Sequence, residues 1–153
     1  MGGTFAHRWS QTREAIEARQ ALWANEAAEY HGPYYDFPLV HSFPRPVQRP
    51  HPPILLGGSA TQVFQRTVAY GNGWMPTRST PETIKQGRAV LNELATHAGR
   101  DPKSITILAY IAPRDRAALQ ALGEVGADAA VMLHSASEAA TLAELEQLAQ
   151  QTL

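Results

Sequence analysis

The hydrophobic pattern changes its period twice along the chain. From about His7 to Ala24, Trp9, Ile16 and Trp23 recur seven residues apart, with Thr12, Ala15 and Leu22 filling the same side. That spacing predicts a helix with one apolar face. Arg13, Glu14, Glu17 and Arg19 mark the side expected to meet water. Residues 25–53 then lose the helical period. They hold Pro33, Pro38, Pro44, Pro46, Pro50, Pro52 and Pro53, seven of the chain's eleven prolines. Proline lacks the N–H and pushes the preceding residue away from helix, so the stretch is expected to be extended. Within it, Tyr30 to Phe37 reads as a small hairpin turning at Gly32-Pro33.

After the prolines, strands alternate with helices. Ile54-Leu55-Leu56 is a short apolar run of the kind a buried parallel strand shows. Gly57-Gly58-Ser59 breaks it, and Thr61 to Tyr70 follows as a helix with Val63, Phe64, Thr67 and Val68 on one side. Gly71-Asn72-Gly73 is expected to end that helix through a left-handed cap. Trp74-Met75 is a second strand. Thr80-Pro81-Glu82 starts a helix to Ala98, with Ile84, Leu91, Leu94 and Ala95 inward and Gly99 as its stop. Ser104 to Ile111 is a third strand, Asp115 to Val125 a helix, and Ala129 to Leu133 a fourth strand. Ser137 is the expected cap of a last helix carrying Leu142, Leu145 and Leu148. Four such βα units predict an α/β fold with a parallel sheet and right-handed crossovers.

Composition narrows the function classes without choosing one. The 153 residues are the size of one domain, 44% hydrophobic and 18% charged, in the range of soluble globular chains. A net charge of −1 offers no basic field for nucleic acid. With no cysteine, the chain has neither disulfides nor thiolate chemistry and fits a cytoplasmic setting. No leader pattern is expected at Met1-Gly2-Gly3-Thr4, and no apolar run reaches the roughly 18–20 residues of a membrane helix.

Three features carry chemistry. In Ile54 to Thr61 a strand meets a Gly-Gly-Ser turn and a helix start. Glycines let the backbone approach a ligand, the helix N-terminus offers free N–H groups, and Ser59 and Thr61 add hydroxyls, which suits a phosphate monoester. A tight βα connection would need the same glycines. Gly73-Trp74-Met75-Pro76-Thr77-Arg78 ends a strand at the side of the sheet where α/β proteins bind ligands. One of Trp74 and Met75 faces the sheet's inner side and the other the helices; both also suit a core. Arg78 is placed to meet an anion or to stand free in a loop. Of six histidines, His134 alone follows a strand at that end and is the acid–base candidate; none forms a metal-type spacing.

The blocks Tyr30-His31-Gly32, Tyr35-Asp36-Phe37, Phe43 to Gln48, Pro52 to Gly58 and Ala69 to Pro76 together resemble the luciferase-like monooxygenase family, closest to its deazaflavin-dependent branch. Ala98 to Pro102 and Gly126-Ala127-Asp128 fit as well. The resemblance implies the C-terminal half of a TIM-type (β/α)8 barrel, with residues 25–53 as a proline-rich insertion before the family's fifth strand and residues 1–153 as one partial barrel domain. It implies an oxidoreductase using FMN or a deazaflavin coenzyme (F-420 type) and a small-molecule substrate. It places cofactor contacts at Gly57, Gly58, Ser59 and Thr61, and further ones at Met75, Pro76 and Thr77. It assigns no catalytic acid or base.

A closed barrel of this type takes about 250 residues, well above the 153 here. Four parallel strands alone leave two edges open and an inner face in water. The expectation is therefore a homodimer that completes a pseudo-barrel, a complementing N-terminal half, or a truncated chain. A non-catalytic subunit that assembles through its exposed sheet is the alternative.

Overall fold

The computed structural model describes residues 5–133 and 141–152. The chain divides into two compact units, Met1–Pro52 and Pro53–Leu153. His134 and Ser137, the acid–base candidate and the expected last cap, lie outside the described residues.

In the first unit, helix α1 (Arg8–Ala24) packs on an antiparallel hairpin of β1 (Ala27–His31) and β2 (Asp36–His41). The predicted hairpin is present and longer than its sequence signal. Ile16 is buried, as the seven-residue spacing requires of that face, and Ala18 is buried outside it. Glu14 corrects the expected wet side: it is 7% exposed. Its Oε1 accepts hydrogen bonds from the backbone N–H groups of Tyr34 (2.7 Å) and Tyr35 (2.8 Å). A carboxylate holding two turn donors offsets its own desolvation. Gly32 is needed beside it, because a Cβ there would lie 2.2 Å from Glu14 Oε1.

Across the hairpin, His31 Nδ1 and Asp36 Oδ1 are 2.6 Å apart. The hydrogen bond to Asp36 raises the His31 pKa above the ordinary imidazole value, and the nearby Asp36 and Glu29 charges add to it. A raised folded-state pKa means the pair's contribution is complete below the unfolded value and fades as pH rises through the folded one. NMR titration of His31 is expected to give a pKa above that of a free imidazole. Asp36→Asn should return it toward the free value; an unchanged midpoint would show that Asp36 is not the cause.

The second unit is an α/β layer. Strands β3 (Leu55–Gly57), β4 (Gly73–Met75), β5 (Thr106–Tyr110) and β6 (Ala129–Val131) form one parallel sheet in that order. Helices α2 (Thr61–Tyr70), α3 (Pro81–His97) and α4 (Arg116–Glu124) connect them, and α5 (Thr141–Thr152) follows. The strand and helix order agrees with the hydrophobic pattern, with shifts of a few residues at the ends. Pro102–Ser104 is a single 3-10 turn capped by Asp101, so the third predicted strand starts only at Thr106.

Cross-strand register puts Leu56, Trp74 and Ile107 side by side on one face. All three are buried, as are Val63 and Thr67 of α2 and Ile84, Leu91 and Ala95 of α3. This is the core. The opposite face carries Leu55, Met75, Leu108 and Tyr110, all partly exposed, with Val131 exposed beside Tyr110. The α3 start is as expected: Thr80 Oγ1 accepts from Thr83 N at 3.2 Å, with Pro81 in the first turn.

Gly71 corrects the left-handed cap. Its φ is −92° and ψ 162°, ordinary extended backbone. Glycine is required there by closeness instead, since a Cβ would sit 3.1 Å from Thr67 Cα. The end of α2 is held from outside: one Arg100 Nη1 donates to the carbonyls of Thr67, Val68 and Gly71. The fourth strand is exposed throughout rather than buried, and Leu142 and Leu145 of α5 are exposed too. Among the described residues no helix is long and apolar enough to cross a membrane.

Candidate functional site

The carboxyl ends of β3 and β4 lie side by side because the strands are parallel and adjacent. Two turns leave from that point, Gly58-Ser59-Ala60 after β3 and Pro76-Thr77-Arg78 after β4. Gly58 fastens them together. Its N–H donates to Met75 O (3.2 Å), and its carbonyl accepts from Trp74 Nε1 (2.8 Å). Its φ of +127° is a conformation that only glycine adopts readily. The sequence-predicted glycine thus shapes the turn, and its own N–H is already in use.

Beyond it, Ser59 Oγ and Thr77 Oγ1 are 2.6 Å apart. Two hydroxyls have two protons, and their mutual bond uses one. The other is left to donate outward. No side chain caps α2, whose N-cap is Ala60, so its first N–H groups and partial positive charge also face this end.

These groups border a cavity of about 370 Å³ between α2 and α3. Ser59, Thr77 and Arg78 form its exposed rim. Phe64 of α2, Trp74 and Val90 of α3 form its apolar wall, and Thr83 and Gln86 its polar one. Trp74 is 1% exposed and meets Phe64 edge to face at 4.8 Å. It therefore faces the helices, and Met75 faces the other side of the sheet. Among the described residues, no hydrogen bond or ion pair engages the Arg78 guanidinium, and no carboxylate lines the cavity. An uncompensated cation beside a donor hydroxyl is a setting for a compact anion.

Of the residues expected from sequence, Ser59 and Thr77 come together on the rim. Gly57 pairs with Met75 in the sheet, and Pro76 is buried behind the turn. Thr61 opens α2 and does not line the cavity. Sequence reasoning left out Phe64, Thr83, Gln86 and Val90. For the three on α3 the Thr80-Pro81 helix start was the available signal, because it brings the beginning of α3 to the same end. It also missed Ser79, whose Oγ donates to Tyr110 O (2.9 Å) and accepts from Tyr110 N (2.8 Å). That hydroxyl takes the place of a neighbouring strand where β4 has ended, and it ties the turn after β4 to β5. The next residue, Ile111, holds φ 54°, a conformation uncommon for a β-branched side chain. Among the described residues no three His, Cys, Asp or Glu side chains are placed to hold a metal ion.

A family model described as luciferase-like monooxygenase matches residues 1–151. The chain belongs to the luciferase-like monooxygenase family. It is 34% identical over 100 residues to an uncharacterised protein of Mycobacterium tuberculosis (strain ATCC 25618 / H37Rv), covering 65% of this chain and 34% of that one. It is 28% identical over 108 residues to the FMNH(2)-dependent dimethylsulfone monooxygenase of Pseudomonas putida, covering 71% of this chain and 30% of that one. Among solved structures, the coenzyme F420 dependent tetrahydromethanopterin reductase from Methanopyrus kandleri matches with a TM-score of 0.54 at 24% identity, over 69% of this chain and 31% of that one. At that identity the likeness concerns the fold. The matched segment spans about a third of the length of these two relatives.

Proposed function

We propose that this chain is the cofactor-phosphate-binding part of a flavin- or deazaflavin-dependent oxidoreductase, and that it corresponds to the C-terminal half of a TIM-type barrel. The observation that carries the reading is the Ser59–Thr77 hydroxyl pair at the carboxyl ends of two adjacent parallel strands, next to an unengaged Arg78. Family membership supports the redox chemistry, as do the FMN- and F420-dependent relatives. When bound, the cofactor ring supplies the redox step; the protein positions it and surrounds it with dipoles. Gly57, Gly58 and Pro76 frame the turns, Ser59, Thr61 and Thr77 offer donors, and Met75 lies on the sheet face opposite Trp74, where a ring would meet a substrate.

The edges at β3 and β6, unpaired among the described residues, and the partly exposed face between them support completion by further strands. A complementing N-terminal half or a second copy supplies them, and residues 25–53 stand as the insertion before the half-barrel. The same exposed face favours, as a second reading, a subunit that assembles without turning over.

Phosphate-dependent binding separates the two. Titrated against the chain, FMN is expected to bind tighter than riboflavin, which lacks only the phosphate. The double variant Ser59→Ala, Thr77→Val should weaken FMN by about tenfold, the scale of a hydrogen bond to a charged group, and leave riboflavin unchanged. Equal binding of FMN and riboflavin would remove the cofactor reading and leave the assembly module.

A further inference from the structure

We infer that a second copy of this chain completes the sheet: β6 of each copy pairs with β3 of the other, and the strands close about a two-fold axis that runs along the resulting barrel. The inference rests on the half-barrel reading above and chooses between the two partners it allows.

The strand edges are the first reason. The sheet ends at β3 on one side and at β6 on the other, and among the described residues neither outer edge is paired. Natural edge strands are blunted by charge, proline or a bulge. Leu55-Leu56-Gly57 and Ala129-Ala130-Val131 carry no charge and no proline, and each pairs with its inner neighbour in unbroken register. Such edges are templates for a further strand. The two edges differ, so each copy offers what the other lacks. A half-turn about the barrel axis keeps every strand pointing the same way, and four parallel strands taken twice give a closed barrel of eight.

Charge is the second reason. The inner face runs from Leu55 and Met75 to Leu108, Tyr110, Ala129 and Val131, and the register places no charged side chain on it. An uncharged face meets its own copy without repulsion, as a self-complementary interface requires. Across the two-fold axis each residue lies opposite its equivalent. Met75 and Leu108 then fill the interior from both sides. Tyr110 of the second copy stands across the carboxyl-end mouth from Tyr110 of the first, so each copy builds half of that mouth.

The last helix is the third reason. In this sheet a connecting helix covers the strand before it and the strand after it, as α2 does for β3 and β4. Among the described residues, no further strand lies beyond β6 for α5 to cover. Leu142 and Leu145 of α5 are exposed, and so is Ala130 on the outer face of β6. With β3 of a second copy as the next strand, α5 lies over the seam and both surfaces are buried.

Sedimentation velocity of the full chain, without cofactor, tests the inference. The chain is expected to run at twice its 16.7 kDa, with a mass that does not grow with concentration, because a closed barrel has no edge left. Leu108→Asp puts two facing carboxylates into the interior and should weaken association by about a hundredfold. Leu39→Asp, on the exposed strand β2, should leave it unchanged. Hydrogen exchange on the unaltered chain makes the test independent of how Leu108→Asp folds: the outward amides of β3 and β6 should be protected in the dimer and lose protection on dilution. A monomer, a mass that climbs with concentration, or a dimer that survives in folded Leu108→Asp would overturn the inference. A monomer with unprotected edges leaves the half-barrel reading standing with a complementing half as the partner. Edges protected in a monomer mean that the chain covers them itself, and the half-barrel reading then fails with the inference. The comparison of FMN with riboflavin decides the cofactor reading separately in every case.

Discussion

Gly87→Ala is expected to destabilise the second unit by about 3 kcal/mol, the upper end of ordinary overpacking. Gly87 is buried in the middle of α3, directly over the Trp74 indole. A Cβ at this position would lie 2.1 Å from Trp74 Cζ3 and 2.5 Å from Cη2. Neither partner can give easily. The indole is fixed by its Nε1–H bond to Gly58 O and by Phe64 at its edge, and the helix cannot shift without moving Ile84 and Leu91 out of the core. Alanine is the better helix former by about 1 kcal/mol, so the local propensity works the other way and a net loss is diagnostic of the clash. Urea unfolding of the two proteins checks it. A variant as stable as the parent would mean that Trp74 is not seated against α3. The same substitution pushes on the Gly58 carbonyl through the indole, so cofactor affinity should fall with stability.

Asp128→Ala comes second, with an expected loss of about 2 kcal/mol. Asp128 Oδ2 accepts from the backbone N–H of Ile107 (2.7 Å) and from Arg88 Nη2. Arg88 in turn donates to Ile105 O (2.8 Å) and twice to Gly126 O (3.1 and 2.7 Å). One carboxylate and one guanidinium therefore tie α3 to β5 and to the approach of β6. Removing the carboxylate leaves the Ile107 N–H without its partner at a residue that is itself fully buried, at a cost of about 1–3 kcal/mol for such a group. Half the Asp128 side chain is exposed, so the ion pair itself adds little. Asp128→Asn keeps an acceptor oxygen and should recover most of the loss. If both variants unfold alike in urea, the charge rather than the hydrogen bond carries the effect.

These two sites show what the sequence could and could not express. Helix starts were legible because they are local: Thr80-Pro81 and Asp115 each cap the helix that follows through their own side chains. Gly99 takes a positive φ of 69°, consistent with its place as a stop. Short apolar runs located all four strands of the parallel sheet. Glu14 was misplaced because its polar neighbours suggest water, while its two partners lie twenty residues away in the hairpin turn. The Arg88–Asp128 tie joins residues forty apart and leaves no periodic trace. Gly87 did leave one: a glycine inside a long helix costs stability and calls for a packing reason.

At the site, Ser59 and Thr77 were readable from the turns that carry them, because parallel neighbours bring their carboxyl ends together. The cavity behind them was not readable, since Phe64, Gln86 and Val90 meet only after α2 and α3 pack. Leu142, Leu145 and Leu148 show the limit of spacing: three-residue recurrence marks a helix, but it does not say what the apolar side will touch.

The most direct measurement of the central claim is a two-dimensional amide NMR titration of the chain with FMN, run beside an identical titration with riboflavin. A phosphate seated at the paired carboxyl ends should shift Ser59, Thr61, Thr77 and Arg78 with FMN and leave them still with riboflavin. Shifts that are the same for both compounds, or that gather elsewhere on the sheet, would contradict it.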